Sequence, residues 1–305
     1  MANILYISCH SVLEYDELRL LTSLGHSIFA IGSYFDPQNP GESIRPQLRL
    51  HQDPGWRDLF YKTSCTFPML SREFLSKFDV IIAMHGHKFL EDNLKNIAKD
   101  CQILWRGIGQ SLPQIEQKLK NLKSKGVQLI RYSPLEAKTA NYAGEDYLVR
   151  FCKREAEFEG DNQRNGKGFV CYNAITQRSS FNDWNESSGF IRANDFDIYG
   201  GSNESLKNYK GFLSPTDQLD LFKTYSKVYC LSSYPAPYTL GFIEAIMSSC
   251  EIFIHKGWKE FDERFMFDQD YRQVTENILS FKADEKIRIL FSEKEAKIAW
   301  NKVIT

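Results

Sequence analysis

The sequence predicts an α/β protein built from two doubly wound, Rossmann-like domains that face each other across a cleft. Three observations carry that expectation. Short apolar runs alternate with amphipathic stretches along the chain, the pattern of a parallel sheet covered by helices on both faces. The alternation restarts after a polar, glycine-rich stretch at Glu159–Gly168. At 305 residues, with 42% hydrophobic and 25% charged content, the chain has core-forming material for two modest domains.

The elements follow in order. Asn3 to Ser8 reads as the first strand, Glu14 to Leu24 as a helix stopped at Gly25-His26, and Ser27 to Gly32 as the second strand, which makes one βαβ unit. Phe35 to Thr66, rich in proline and glycine between Pro37 and Gly55, reads as a long loop. Phe78 to Met84 is a strand opening onto His85-Gly86-His87, a helix runs on to about Lys99, and Cys101 to Arg106 is the next strand. A helix over Pro113–Lys125 and a strand over Val127–Tyr132 complete about five strands. Beyond the polar stretch come strands at Phe169–Asn173, Phe196–Tyr199, Val228–Ser232 and Ile252–His255. Helices are expected at Thr216–Ser226 and Leu240–Ser249. The tail, Glu285 to Val303, reads as one amphipathic helix burying Ile287, Leu290, Phe291, Ile298 and Trp300. The resulting division is 1–160, 161–284 and a terminal helix, 285–305, that packs back toward the first domain.

Composition narrows the functional classes. With 38 Lys and Arg against 39 Asp and Glu, the chain supplies no long-range attraction to nucleic acid or anionic membrane. Seven scattered cysteines, without a Cys-x-x-Cys pair or zinc spacing, read as reduced thiols of a cytoplasmic protein. Met1 to Ser8 lacks the basic start and apolar stretch of a signal peptide, and no run approaches a membrane span. The Asp195-Phe-Asp197 and Asp268-Gln-Asp270 strings have carboxylates of the kind that hold a divalent metal, but the first runs straight into a strand, so no metal site is expected. Gly-x-Ser-x-Gly, a Gly-Lys-Ser phosphate loop and a zinc cluster are all absent from the sequence.

The strand Val228–Ser232, the loop Ser233–Thr239 and the following helix present free backbone N–H groups to an anion, with Thr239 as N-cap and Glu244 about one turn inside. A carboxylate there suits the two hydroxyls of a ribose. The same spacing suits an ordinary cap and a solvated helix residue, and spacing alone favours those plain roles.

The stretch Tyr238-Thr-Leu-Gly-Phe-Ile-Glu-Ala-Ile-Met-Ser-Ser-Cys250, with the strand Glu251–His255 after it, resembles the donor signature of the retaining GT-B glycosyltransferases of family 4. Phe196–Gly201 and Gly211–Ser214 fall in that family's order. The resemblance implies a nucleotide-sugar donor, UDP-linked, and no required metal, cofactor or covalent nucleophile. It makes Glu244 the ribose ligand, sets Gln177 and Arg178 against the diphosphate, and adds Gly200, Gly201, Tyr238, Thr239 and Leu240 to the donor site. The family's first acidic residue, which meets the transferred sugar, falls on Ala236, so the sequence departs from the signature there.

In the first half, Cys9–Glu17, Leu24–His26, Trp105–Ser111 and Arg131–Pro134 are similar to a branch of short GT-B transferases met in phage and environmental sequences. His10, Asp16 and His85 are the candidate catalytic residues on this side, and Glu14, Tyr15, Arg106, Gln110 and Ser111 the candidate acceptor ligands. His87 shares the loop of His85. Carboxylates at a helix start also interact with its dipole, and loop histidines are commonly just exposed. The resemblance leaves two acceptors: a hydroxymethylated base of phage-type double-stranded DNA, with Arg45, Arg49, Arg57, Lys62 and Arg72 as a basic groove, or a surface glycan or lipid-linked sugar. A nucleotide-sugar epimerase and a binding module without catalysis remain as readings of another class.

Overall fold

The computed structural model describes residues 1–8, 10–31, 69–108, 112–158, 164–177, 184–231, 240–257 and 270–304. The chain divides into two compact units, Met1–Phe151 with Ala296–Thr305, and Cys152–Glu295. Each contains a Rossmann-like sheet with helical crossovers, as the apolar runs predict.

The first unit holds a six-stranded parallel sheet in the order β2-β1-β3-β4-β5-β6, formed by Asn3–Ile7, Ser27–Ile31, Val80–Met84, Gln102–Arg106, Gln128–Arg131 and Tyr147–Leu148 as β1 to β6. The short last strand is one more than the sequence indicates, because two residues carry no readable period. All five residues of β3 are buried, as a central parallel strand requires. Helix α1, Ser11–Ser23, crosses from β1 to β2, and residues 13 to 18 are buried without interruption. A helix buried on every side is a core helix rather than a half-solvated one. Helix α2 is Arg72–Leu75, α3 is His87–Asn93 and α4 is Pro113–Lys123. The expected helix from His87 to Lys99 gives way to a 3₁₀ turn at Leu94–Asn96.

The chain turns back on itself at β1. It runs outward to β2, then returns to place β3 on the other side of β1. The carboxyl ends of β1 and β3 therefore flank a topological switch point, where open α/β sheets bind ligands.

The second unit holds seven strands in the order β12-β13-β11-β10-β7-β8-β9. They are Gly168–Cys171, Asp197–Tyr199, Tyr209–Gly211, Lys227–Tyr229, Glu251–His255, Arg272–Gln273 and Ile278–Phe281 as β7 to β13. The strands from β7 to β11 are parallel, whereas β13 runs antiparallel to β11 and β12 antiparallel to β13. The antiparallel edge escapes the sequence reading because it is a local hairpin-like addition to a parallel pattern. Helix α5, Trp184–Ala193, was also not anticipated; α6, Pro215–Thr224, and α7, Leu240–Met247, fall where expected. Here β7 and β10 flank the switch point.

The tail is two helices, α8 at Glu285–Leu290 and α9 at Glu293–Val303, where the sequence reads as one. Ser292 accepts from the Glu295 N–H at 3.3 Å and starts the second helix. The break resets the helical phase. Ile287, Phe291 and Trp300 are buried as expected, but Leu290 is only half-buried, Ile298 is exposed, and Ala296 and Val303 turn inward. Among the described residues no helix is long and apolar enough to cross a membrane.

Candidate functional site

In the second unit the carboxyl ends of β7 and β8 are tied tightly together. Gly200 has φ +112°, and a Cβ there would lie 2.2 Å from the Tyr172 carbonyl oxygen, so both the conformation and the space demand glycine. Asn203, almost fully buried, donates to the carbonyls of Tyr172 at 2.6 Å and Gly200 at 3.0 Å and accepts from the Ile175 N–H at 2.9 Å. Gly201 donates to Asn173 Oδ1 at 2.7 Å, and its carbonyl accepts from Ala174 at 2.7 Å. Gln177 closes the following turn with an exposed side chain. Gly200, Gly201 and Gln177 thus share one polar rim at the ends of adjacent strands.

Glu244 sits in α7 and is buried, at 5% exposure. The fully buried Lys153 places Nζ 3.0 Å from Glu244 Oε1, and Gln218 Nε2 lies 3.4 Å from Oε2. A solvated carboxylate does not describe this residue. Burial, with the charge of Glu244 added to it, pushes the thiol of Cys171, the last residue of β7, up to about 12. Taking two charges out of water costs several kcal/mol per ion, so such a pair persists only with close geometry. Lys153 escapes the sequence reading because nothing local marks it; its partner is distant in sequence. Its own N–H is held by the Phe291 carbonyl at 3.0 Å.

Leu240 begins α7. Arg178, Tyr238, Thr239 and Ala236 lie outside the described residues, as do Gln110 and Ser111, the long loop with Arg45, Arg49, Arg57 and Lys62, and Asp268. Asp197 is committed to structure: Tyr225 donates to it at 2.8 Å and Lys210 Nζ lies 3.4 Å away. Among the described residues no cluster of three His, Cys, Asp or Glu has the arrangement to hold a metal.

In the first unit, His10 and His85 stand at the two sides of the switch point. His10 caps α1, its Nδ1 accepting from the Leu13 N–H at 3.5 Å. Its own N–H donates to Ser8 Oγ at 3.2 Å, and that hydroxyl faces Met84 Sδ at 3.6 Å. The ends of β1 and β3 are thereby joined. His85 takes φ +55°, a left-handed conformation uncommon outside glycine, and donates its N–H to the Arg106 carbonyl at 2.8 Å. Burial first, then His87, lowers its pKa, which favours the neutral imidazole. His87 is lowered by burial and by Lys118, whose Nζ is 3.4 Å from its Nε2.

The other described residues proposed for this side are buried. Glu14, Tyr15 and Asp16 are 0%, 6% and 3% exposed, so the helix start that the sequence directs toward ligand is covered. Arg106 is fully buried: Nε and a terminal nitrogen approach Glu17 Oε1 at 2.9 and 2.7 Å, and the guanidinium lies 4.2 Å over the Phe151 ring and 6.0 Å from that of Trp300. Tyr6 donates to the other oxygen of Glu17 at 2.5 Å, and burial with this carboxylate raises its hydroxyl well above the usual range. Arg106 is therefore the counter-ion of Glu17 inside the unit rather than an acceptor-loop cation. The sequence obscures this because the partners meet only when α1 packs across the end of β4.

A second buried cluster lies below the next strand ends. Arg131 forks onto both oxygens of Glu116 at 2.9 and 2.8 Å and approaches Glu136 at 3.4 Å. Glu136 accepts from the Tyr132 and Ser133 N–H groups at 2.7 and 3.2 Å, yet burial pushes its carboxyl up to about 7. A Cβ on Gly107 would come within 2.8 Å of Glu136 Oε2, which places the carboxyl directly against the loop after β4.

No family model matches this sequence, and no curated protein matches it. Among solved structures the chain is similar to a glycosyltransferase from Rickettsia africae ESF-5, with 10% identity, a TM-score of 0.58, and coverage of 98% of this chain and 93% of that one. It is also matched to the glycosyltransferase SnogD from Streptomyces nogalater, with 11% identity, a TM-score of 0.44, and 99% and 94% coverage. A third match is the glycotransferase of kitacinnamycin, with 12% identity, a TM-score of 0.40, and 82% and 79% coverage. At such identities likeness concerns the fold, and the fold comparison rests on the first of the three. This chain therefore shares the fold of a solved glycosyltransferase, with two Rossmann-like sheets in succession as in the GT-B type.

Proposed function

We propose that this chain is a glycosyltransferase that moves a sugar from a nucleotide-diphosphate sugar, UDP-linked, to an acceptor hydroxyl with retention at the anomeric carbon. The observation that carries the reading is Glu244, a buried carboxylate of α7 held by Lys153 in the second unit, whose sheet has its switch point between β7 and β10. A carboxylate has about four lone-pair sites, and those left by Lys153 and Gln218 suit the two hydroxyls of a ribose. Fold likeness supports transfer in general; retention and the UDP donor rest on the family resemblance.

In this reading the acceptor oxygen bonds the anomeric carbon, its proton leaves, and the bond from that carbon to the diphosphate breaks. Arg178 and the backbone at Thr239 and Leu240 are assigned to the charge that gathers on the leaving diphosphate. His10 and His85, at the switch point of the first sheet, are assigned to acceptor hydroxyls, and a neutral His85 has a lone pair with which to accept one. Glu14, Tyr15, Asp16 and Arg106, being buried, are given no direct acceptor contact in this reading. A hydroxymethylated base of phage-type DNA is the acceptor we favour, on resemblance alone, over a surface glycan or lipid-linked sugar. The reaction is assigned to the cytoplasm, in keeping with free thiols at Cys101, Cys171 and Cys250.

Incubation with a panel of nucleotide sugars, with and without acceptors, tests the proposal through release of nucleoside diphosphate. Release that depends on acceptor supports transfer. An epimerised donor without acceptor demand identifies an epimerase, and binding without turnover identifies a sugar-nucleotide module. Tight, salt-sensitive binding to hydroxymethylated duplex DNA supports that acceptor, and no binding at low salt removes it.

A further inference from the structure

Phe212 follows β9 and is 67% exposed, a large apolar ring at the carboxyl edge of the second sheet that makes no ring contact among the described residues. It stands against Gly201: a Cβ there would lie 3.6 Å from Phe212 Cδ2 and 3.7 Å from Asn173 Oδ1. The ring and the Asn173 carboxamide thus border the same point. Because the Gly201 N–H donates to the carboxamide, the atom that accepts at 2.7 Å is its oxygen, and this fixes which way the amide is turned. The NH2 group is consequently the part of exposed Asn173 left for a ligand.

Two strand spacings of ~4.8 Å separate β9 from β7, so Phe212 stands about 10 Å along the sheet edge from Cys171, the end of β7, whose thiol is raised by burial and by the charge of Glu244. That separation matches the reach of a nucleoside from its ribose hydroxyls to the far side of its base. A planar base is also the part of a nucleotide sugar whose burial an open aromatic face rewards.

We propose that Phe212 is the stacking platform for the donor's base and that the Asn173 carboxamide NH2 donates to an exocyclic carbonyl of that base. The carbonyl in question is the one uracil carries at C4 and guanine at C6, where cytosine and adenine carry an amino group, so the site takes uracil or guanine over cytosine and adenine. This deepens the donor reading and rests on it.

Titration calorimetry with UDP, GDP, CDP and ADP tests the inference on the full chain. Wild type is expected to bind UDP or GDP at least fivefold more tightly than CDP or ADP. Phe212→Ala is expected to weaken the preferred nucleotide about tenfold with no change in the urea unfolding midpoint, since the ring is exposed, while Phe212→Tyr retains affinity. Asn173→Asp keeps an oxygen for the Gly201 N–H but removes the NH2, and is expected to abolish the keto preference. Equal affinity of Phe212→Ala and wild type overturns the platform while the donor reading stands. Equal binding of keto and amino bases by wild type overturns the Asn173 assignment. No nucleoside diphosphate binding by wild type overturns the donor reading itself and this inference with it.

Discussion

Lys153 and Glu244 form an ion pair, Nζ to Oε1 at 3.0 Å, with the lysine fully buried and the glutamate 5% exposed. The pair joins a segment just before the second sheet to the second turn of α7. Its function and its structural weight are therefore coupled, and substitutions must separate them.

Lys153→Met leaves the Glu244 carboxylate buried without this cation and is expected to lower unfolding free energy by about 3–5 kcal/mol in urea titration. Combining it with Glu244→Leu replaces the pair by apolar groups and is expected to restore most of that stability. Nucleoside diphosphate binding is expected to stay lost in the double variant. Recovery of binding along with stability would remove Glu244 from the ribose.

Arg106 is assigned to the interior by its contacts with Glu17, Phe151 and Trp300. Arg106→Ala is expected to destabilise the first unit by about 3–5 kcal/mol, because Glu17 then keeps a buried charge without that partner. At a temperature where the variant remains folded, acceptor KM is expected to change less than twofold. A large rise in KM with unchanged stability would return Arg106 to the acceptor site.

Glu136 is raised from an ordinary carboxylate value to about 7 by burial. A group whose folded pKa exceeds its unfolded value stabilises most when protonated, below the unfolded pKa, and that contribution fades as pH rises through the folded pKa. Unfolding free energy is thus expected to fall by about 3 kcal/mol from this group between pH 4.5 and 7. Glu136→Gln, which keeps an acceptor for the Tyr132 and Ser133 N–H groups, is expected to flatten that decline. Identical pH profiles for the two proteins would contradict the raised value.

The βαβ order and most strands were legible because fully buried parallel strands must be apolar runs and their crossover helices must be amphipathic. Elements that broke this rule were missed. The two residues of β6 are too short for a period, β12 and β13 reverse direction, and Ser292 divides a helix whose apolar positions look continuous. A local backbone demand leaves a mark in the sequence, as at Gly200, whose φ and contact with Tyr172 admit only glycine. The burial of a charged residue leaves no such mark, as with Arg106 and Glu14.

The sequence by itself determined two doubly wound sheets, the strand-end positions of His10, His85, Gly200 and Gly201, and the helical position of Glu244, since strand and helix periods are local properties. Only the tertiary structure decided which charges are interior: Arg106 with Glu17, Arg131 with Glu116, and Lys153 with Glu244. These partners lie on different elements, so whether a charge meets water or an opposite charge depends on how elements pack, and no local pattern carries that information.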